Sequence, residues 1–242
     1  MKSDQVCWST GDVAHRQSLE YWNTLFADNV LRLDISSHAR DHFIGRMVGA
    51  DLGRDRVYYV AAESDQKVDH GRACVAQRGD DSLCLVHIRC GGFHFETQGR
   101  SVDLMVGDCM LLDSKQLFRF SLPNSSAALI LRITADWLRR WIPKFEDVAG
   151  IRIDGSRGWG QTLSHALSNV DPMHVAEVTI PRQSRGPSFC EPLKAAVPHT
   201  RPSLLFLRSC PARIRLVTSG QTYSTLSLQA QSNPLPVRAS QS

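Results

Sequence analysis

No stretch of this 242-residue chain approaches the roughly 18 consecutive apolar residues that a membrane-crossing helix needs. The opening Met1-Lys2-Ser3-Asp4-Gln5 has no apolar run of signal-peptide length, so no membrane association is expected. Cys-x-x-Cys is absent as well. The seven cysteines, Cys7, Cys74, Cys84, Cys90, Cys109, Cys190 and Cys210, are odd in number and irregularly spaced, which suggests neither a disulfide framework nor a zinc ribbon. Reduced thiols in a cytoplasmic protein are the expectation. Also missing are a Gly-x-Ser-x-Gly nucleophile elbow, a Gly-x-x-x-x-Gly-Lys phosphate loop and a Gly-x-Gly-x-x-Gly after a strand. Hydrolase, nucleotide-triphosphate and dinucleotide chemistry therefore have no motif to stand on.

Acidic residues are scarce in one region only. Of 28 Lys+Arg and 24 Asp+Glu, residues 172–242 hold 8 and 2, leaving 20 and 22 for residues 1–171. The first part is thus near neutral at 20 − 22 = −2, and the basic pI belongs to the last 71 residues. That excess is no argument for nucleic-acid binding by the main domain. No Asp occurs after Asp171, and nine of the 11 prolines lie at or beyond Pro172. Pro and Arg interrupt the apolar runs there before a helix completes three turns, and an irregular Pro/Ser/Arg-rich tail is expected over 172–242.

What is present before Pro172 is patterned. Ser9 and Asp12 offer a capping box, and Leu19, Trp22, Leu25 and Phe26 follow at helical spacing, which predicts an amphipathic helix near 12–27. From 30 to about 133 the text becomes short apolar runs punctuated by Gly, Asp and Ser, at 30–35, 43–50, 57–61, 83–90, 93–97, 102–105, 109–112, 118–122 and 127–133. Such runs read as strands of a sandwich or barrel. Gly91-Gly92, Gln98-Gly99-Arg100 and Val106-Gly107-Asp108 predict three reversals in a meander of antiparallel hairpins. Asp108 and Asp113 are placed to accept backbone N–H bonds at the two ends of the run 109–112. Thr134 is expected to cap a helix carrying Trp137, Leu138, Trp141 and Ile142, which Pro143 closes. A second helix is written by Trp159, Leu163, Ala166, Leu167 and Val170. The expected organisation is an N-terminal helical segment over 1–29, a mainly β domain over 30–171 with flanking helices, and the tail.

The stretch Gly91-Gly92-Phe93-His94-Phe95-Glu96-Thr97-Gln98-Gly99-Arg100, followed by Val106-Gly107-Asp108 and Leu111-Leu112-Asp113-Ser114, resembles the N-terminal domain of AraC/XylS-type transcription regulators. Tyr21-Trp22, Leu31-Arg32-Leu33-Asp34 and Leu129-Ile130-Leu131-Arg132-Ile133 extend the similarity over about 15–171, with Val106 standing where the family string has Pro. The resemblance implies a cupin-like jelly-roll or barrel that takes a small-molecule effector inside it, dimerises through the helices that follow, and is not an enzyme. It also implies a C-terminal pair of helix-turn-helix units, and 172–242 shows no recognition-helix pattern. Specific DNA binding is therefore expected of the intact family and not of this chain. Translation in a shifted frame from about 171–181, with a natural short isoform as its rival, is the expectation for the tail. A basic nucleic-acid arm with sequence-indifferent binding is the alternative.

Candidate chemistry is sparse. His38 and His42 have i, i+4 spacing, but they lie between strand-like runs without the Glu of a helical metal site. A cupin-type metalloenzyme, the other reading, needs His-x-His, a Glu and a later His. His87, His94 and Glu96 fall in the right region without that pattern. No metal, no cofactor and no catalytic residue is expected. What remains is a pocket. In the run 83–90 either Cys84, Val86 and Ile88 or Leu83, Leu85, His87 and Arg89 point inward. The first set, all apolar, is the better core, although the alternation alone does not choose the face. If the second set lines a cavity, His87 and Arg89 suit an acidic or hydroxylated effector, with Phe93 and Phe95 as apolar walls. The stripe Trp159, Leu163 and Leu167 would face solvent beyond the barrel, and it is the expected homodimer contact.

Overall fold

The computed structural model describes residues 5–52, 55–77, 81–97 and 99–171. The expectations for 172–242, irregular tail and shifted frame alike, lie outside the described residues. In chain order the elements are β1 (Val6–Ser9), α1 (Ser18–Asn29), β2 (Asp34–Ser36), β3 (Gly45–Leu52), β4 (Asp55–Ala62), β5 (Gln66–His70) and the short α2 (Arg72–Ala76). There follow β6 (Ser82–Cys90), β7 (Phe93–Thr97), β8 (Arg100–Leu104), β9 (Cys109–Asp113), β10 (Phe118–Leu122) and β11 (Ser126–Thr134). The chain then gives α3 (Ala135–Arg139), β12 (Arg152–Ile153) and α4 (Gly158–Ser168).

The strands make two antiparallel sheets, one in the order β1-β3-β4-β11-β6-β9-β12 and one in the order β2-β5-β10-β7-β8. Their inner faces share one apolar cluster, as in a cupin-like jelly roll. Only one of the three expected reversals is a hairpin: β7 and β8 pair directly, Phe93 against Leu104 and Thr97 against Arg100. Gly91-Gly92 and Val106-Gly107-Asp108 instead carry the chain from one sheet to the other, since β6 and β9 belong to the larger sheet and β7 and β8 to the smaller. Gly91 and Gly107 take φ of 78° and 91°, so glycine supplies the reversal while the pairing partner comes from elsewhere in the chain. β6 lies between β11 and β9, with Val86 opposite both Ile130 and Met110.

The N-terminal segment is not a unit apart. β1 pairs with β3, and Trp22, Leu25 and Phe26 of α1 enter the same cluster as Val86, Phe93 and Phe120. The Ser9–Asp12 capping box forms, with the Gly11 N–H donating to Ser9 Oγ at 3.1 Å and the Ser9 N–H donating to Asp12 Oδ2 at 3.1 Å. It caps a 3₁₀ turn at Thr10–Asp12 rather than the α-helix, which starts at Ser18 after a second such turn at His15–Gln17. Thr134 precedes α3 without a side-chain cap bond.

A second apolar layer covers the outer face of the larger sheet. Leu83 and Leu85 of β6, Cys109 and Leu111 of β9, and Leu129, Leu131 and Ile133 of β11 meet Leu138, Ile142, Phe145, Ile153, Leu163 and Leu167. β6, β9 and β11 are therefore buried on both faces, which is why their sequences read as continuous apolar runs. No helix among the described residues is long and apolar enough to cross a membrane.

Candidate functional site

Between the sheets lies a cavity of about 80 Å³. Trp22 and Phe26 come from α1, Phe93 from β7, Phe118 and Phe120 from β10, and Val86 from β6. Phe118 and Phe120 meet edge to face at 5.6 Å between centroids. Phe95 packs behind Phe120 at 4.8 Å rather than on the cavity surface. Two polar side chains break the apolar wall, Gln66 and Ser126. The Trp22 indole N–H donates to Gln66 Oε1 at 3.0 Å. Ser126 is 3% exposed, and its Oγ has no hydrogen-bond partner. The segment carrying Val30, Leu31 and Leu33 lines the cavity and is tied down by His70, whose Nδ1 lies 2.8 Å from Arg32 O and Nε2 3.0 Å from Ser114 O.

The opposite face of β6 holds α4. His87 is 1% exposed, and its Nε2 lies 3.1 Å from Ser164 Oγ in the middle of the helix, while Nδ1 is buried without a partner. Burial, then the neighbouring Arg89 charge, pushes the His87 imidazole down to about 4, with Asp108 opposing. The Arg89 guanidinium donates to Leu167 O at 2.7 Å, Ser168 O at 2.9 Å and Val170 O at 2.9 Å. Leu167 O also accepts from the Val170 N–H at 3.0 Å, the carbonyls of Ser168 and Val170 lie at and past the end of the helix, and a cation there meets the negative end of the helix dipole. Burial lowers the Arg89 pKa from its ordinary value. Asp108, 2% exposed, ties the next turn: it accepts from Met105 N at 2.7 Å and Gly155 N at 3.0 Å and pairs with Arg152 Nε at 2.8 Å. Asp113 accepts from Lys115 N at 2.9 Å at the far end of β9.

The four residues expected to line one pocket are therefore divided. Phe93 and Phe95 face the interior, while His87 and Arg89 lie outside the barrel beneath α4. The reason is the two-residue period of a strand: with Cys84, Val86 and Ile88 in the inner cluster, the odd-numbered positions of β6 must point the other way. Gln66 and Ser126, which the sequence reading passed over, occupy the polar positions instead. The expected stripe on α4 also divides. Leu163 and Leu167 are 0% and 1% exposed against their own sheet, and Trp159 is 57% exposed.

The histidines do not converge. His38 Nδ1 lies 2.6 Å from Asp65 Oδ2, whereas the His42 ring stands 5.1 Å from that of His15, on a 3₁₀ turn that gives no i, i+4 face. His94 is on the outer face of the smaller sheet, 2.7 Å from Asp103 and 3.4 Å from Glu96. The hydrogen bond that its ring donates to Asp103 raises its pKa. Among the described residues no group of three or more His, Cys, Asp or Glu is placed to hold a metal ion. Cys7, Cys74, Cys90 and Cys109 are free thiols, and burial pushes Cys109 up to about 12.

No curated protein matches the chain. Among solved structures, the AraC-like transcriptional activator CuxR aligns with a TM-score of 0.64 at 13% identity, over 82% of this chain and 72% of that one. This likeness shows the fold. An ethanolamine utilization protein Q from Salmonella typhimurium LT2 aligns over 37% of this chain and 70% of its own, at 14% identity and a TM-score of 0.27. An RmlC-like cupin from Desulfovibrio desulfuricans aligns over 44% and 85%, at 7% identity and 0.28. A family model described as the AraC-binding-like domain matches residues 22–182, more than half of the sequence, and the chain therefore belongs to that family.

Proposed function

We propose that residues 5–171 act in the cytoplasm as the effector-binding and dimerisation domain of an AraC-type transcription regulator, a sensor with no catalysis of its own. CuxR is an AraC-like transcriptional activator, and a regulatory role of that kind is the one assigned here. The observation that carries the reading is the double duty of β6. Val86 walls the cavity, and its neighbours His87 and Arg89 hold α4 by the bonds given above. A ligand that changes the position of β6 acts on the helix with no intervening element, and it biases whichever arrangement of α4 it fits better.

The homodimer contact centres on Trp159 rather than on the whole stripe. Met105 and Val106, 56% and 63% exposed, sit on the turn that Asp108 ties to Gly155, close in the fold to the start of α4. Leu163 and Leu167 hold the helix to its own sheet. Specific DNA contact is no part of the role proposed for these residues.

The test has two arms on the 242-residue chain. Trp159→Glu should leave the circular dichroism spectrum unchanged and weaken a concentration-dependent dimer in sedimentation equilibrium. A wild-type chain that stays monomeric at about 100 μM would overturn the dimer contact. For the cavity, a thermal-shift screen of small neutral molecules should find stabilisers that lose their effect in the cavity-filling Val86→Phe. A screen in which every stabiliser acts equally on both proteins would overturn the effector pocket.

A further inference from the structure

We infer that the barrel cavity selects a small, uncharged and mainly hydrocarbon molecule bearing a single hydroxyl or carbonyl group, which Ser126 reads. The inference rests on the effector-pocket reading above and adds the chemistry of the ligand. Among the described residues that line the cavity, none carries a charge. A carboxylate or ammonium group placed there would be desolvated without a counter-ion, which an apolar site does not tolerate. A sugar or other polyol would bring several hydroxyls to a wall offering two polar side chains, and each unpaired hydroxyl would weaken binding. The acidic or hydroxylated effector that His87 and Arg89 suggested loses those two anchors, since both lie outside the barrel.

One polar position is open. Ser126 opens β11 directly after Ser125, which takes a φ of 59°, and it pairs with Ala62 of β4, whose side chain belongs to the inner cluster. Ser126 lines the cavity, and its hydroxyl is buried and unpartnered. Buried hydroxyls without partners are rare because each costs the desolvation it does not recover. A hydroxyl retained here in a wall otherwise suited to Ala or Val is explained by a ligand atom that completes it. Gln66 lies at the same end of the barrel, where the Ser125 N–H donates to Glu63 O at 3.2 Å, and its Oε1 is already engaged by Trp22. The polar end is thus the Ser126 hydroxyl beside the Gln66 amide, whose carbonyl oxygen is taken. At about 80 Å³ the cavity has about half the volume of an engineered 150 Å³ cavity that holds benzene. The fitting ligand in this state is a branched or cyclic molecule of a few heavy atoms.

The test compares 2-propanol, its isostere 2-methylpropane and the equally small but charged acetate, each of four heavy atoms and each titrated into the full chain and into Ser126→Ala by heteronuclear NMR. The expected result is saturable binding of the alcohol and the hydrocarbon to wild type and none of the carboxylate. The alcohol-to-hydrocarbon affinity ratio should fall about tenfold in Ser126→Ala, the size of a buried hydrogen bond. Comparing that ratio between the two proteins cancels the ligands' own hydration. Without ligand, Ser126→Ala should melt at a higher temperature than wild type, because it removes an unsatisfied buried hydroxyl. A ratio unchanged by the substitution, or a lower melting temperature, would overturn the role of Ser126 while leaving the pocket in place. Binding of neither neutral probe would overturn the pocket itself, and the inference with it.

Discussion

Acid should loosen the chain through His87, and the size of the effect follows from where that ring sits. In the unfolded chain the imidazole titrates near 6.5, whereas in the fold burial and Arg89 push it down to about 4. Above pH 6.5 both states carry a neutral ring and the group contributes nothing to the pH dependence. As pH falls from 6.5 towards 4 the unfolded chain binds a proton that the folded chain refuses, so stability drops. Below about 4 both states are protonated and the loss is complete. The step from 6.5 to about 4 corresponds to about 3 kcal/mol, at about 1.4 kcal/mol per tenfold in proton affinity. The assay is urea denaturation from pH 7.5 to 4.5 on wild type, His87→Gln and His87→Leu. Carboxylates elsewhere titrate in all three proteins, so the difference between wild type and each variant isolates the ring. At neutral pH the variants lose the contact to Ser164 and should be less stable, by about 1 kcal/mol for one neutral hydrogen bond. On acidification the gap should close and reverse, since only wild type has a ring to protonate. A difference that stays flat across the window for both variants would refute the placement of His87 in a sealed site beneath α4.

Three further outcomes follow from the same layer. Leu163→Ala should destabilise by about 2–5 kcal/mol, the range for a leucine deleted from a packed core, and Leu163→Asp should unfold the domain instead of giving a folded monomer, as circular dichroism and sedimentation velocity will distinguish. Arg89→Met releases three carbonyls and should lower amide protection in hydrogen exchange over 163–170 more than in the inner strands, with a cost of about 2 kcal/mol for the lost charged bonds. Asp108→Asn keeps the shape but weakens the bonds to Arg152 and Gly155, and chemical denaturation should show a loss of about 1–3 kcal/mol.

The sequence carried the strands of the barrel better than their connections. Runs at 83–90, 109–112 and 127–133 coincide with β6, β9 and β11 within a residue or so, because burial on two faces leaves no room for polar residues. β5, Gln66-Lys67-Val68-Asp69-His70, escaped notice since two of its three inward residues, Gln66 and His70, are polar and are satisfied only by partners distant in sequence, Trp22 and Ser114. β1 and β12 are four and two residues long, too short for a period to show. The glycine turns were legible as turns, but which sheet receives the chain depends on β11 and β10 being available as neighbours, a fact some 30 residues away from Gly91.

The candidate site was harder to read because polarity marked the wrong face. His87 and Arg89 stand out in β6 as the two groups able to grip a ligand, and they grip a helix. In a strand covered on both sides the polar residues belong to the side where backbone ends need partners. Here that is the end of α4, with its carbonyls of Leu167, Ser168 and Val170. The cavity is instead described by what its wall omits. Ser126 looks in sequence like one more residue of the Pro123-Asn124-Ser125-Ser126 turn, and only its pairing with Ala62 turns it inward. A serine and a glutamine amide in a wall whose described residues carry no charge narrow the ligand more than a His–Arg pair would have done, because a charged group placed there finds no counter-ion. The same division assigns separate substitutions to sensing and response: Ser126→Ala should alter which molecule binds without loosening α4, and Arg89→Met should loosen α4 without altering the alcohol-to-hydrocarbon preference.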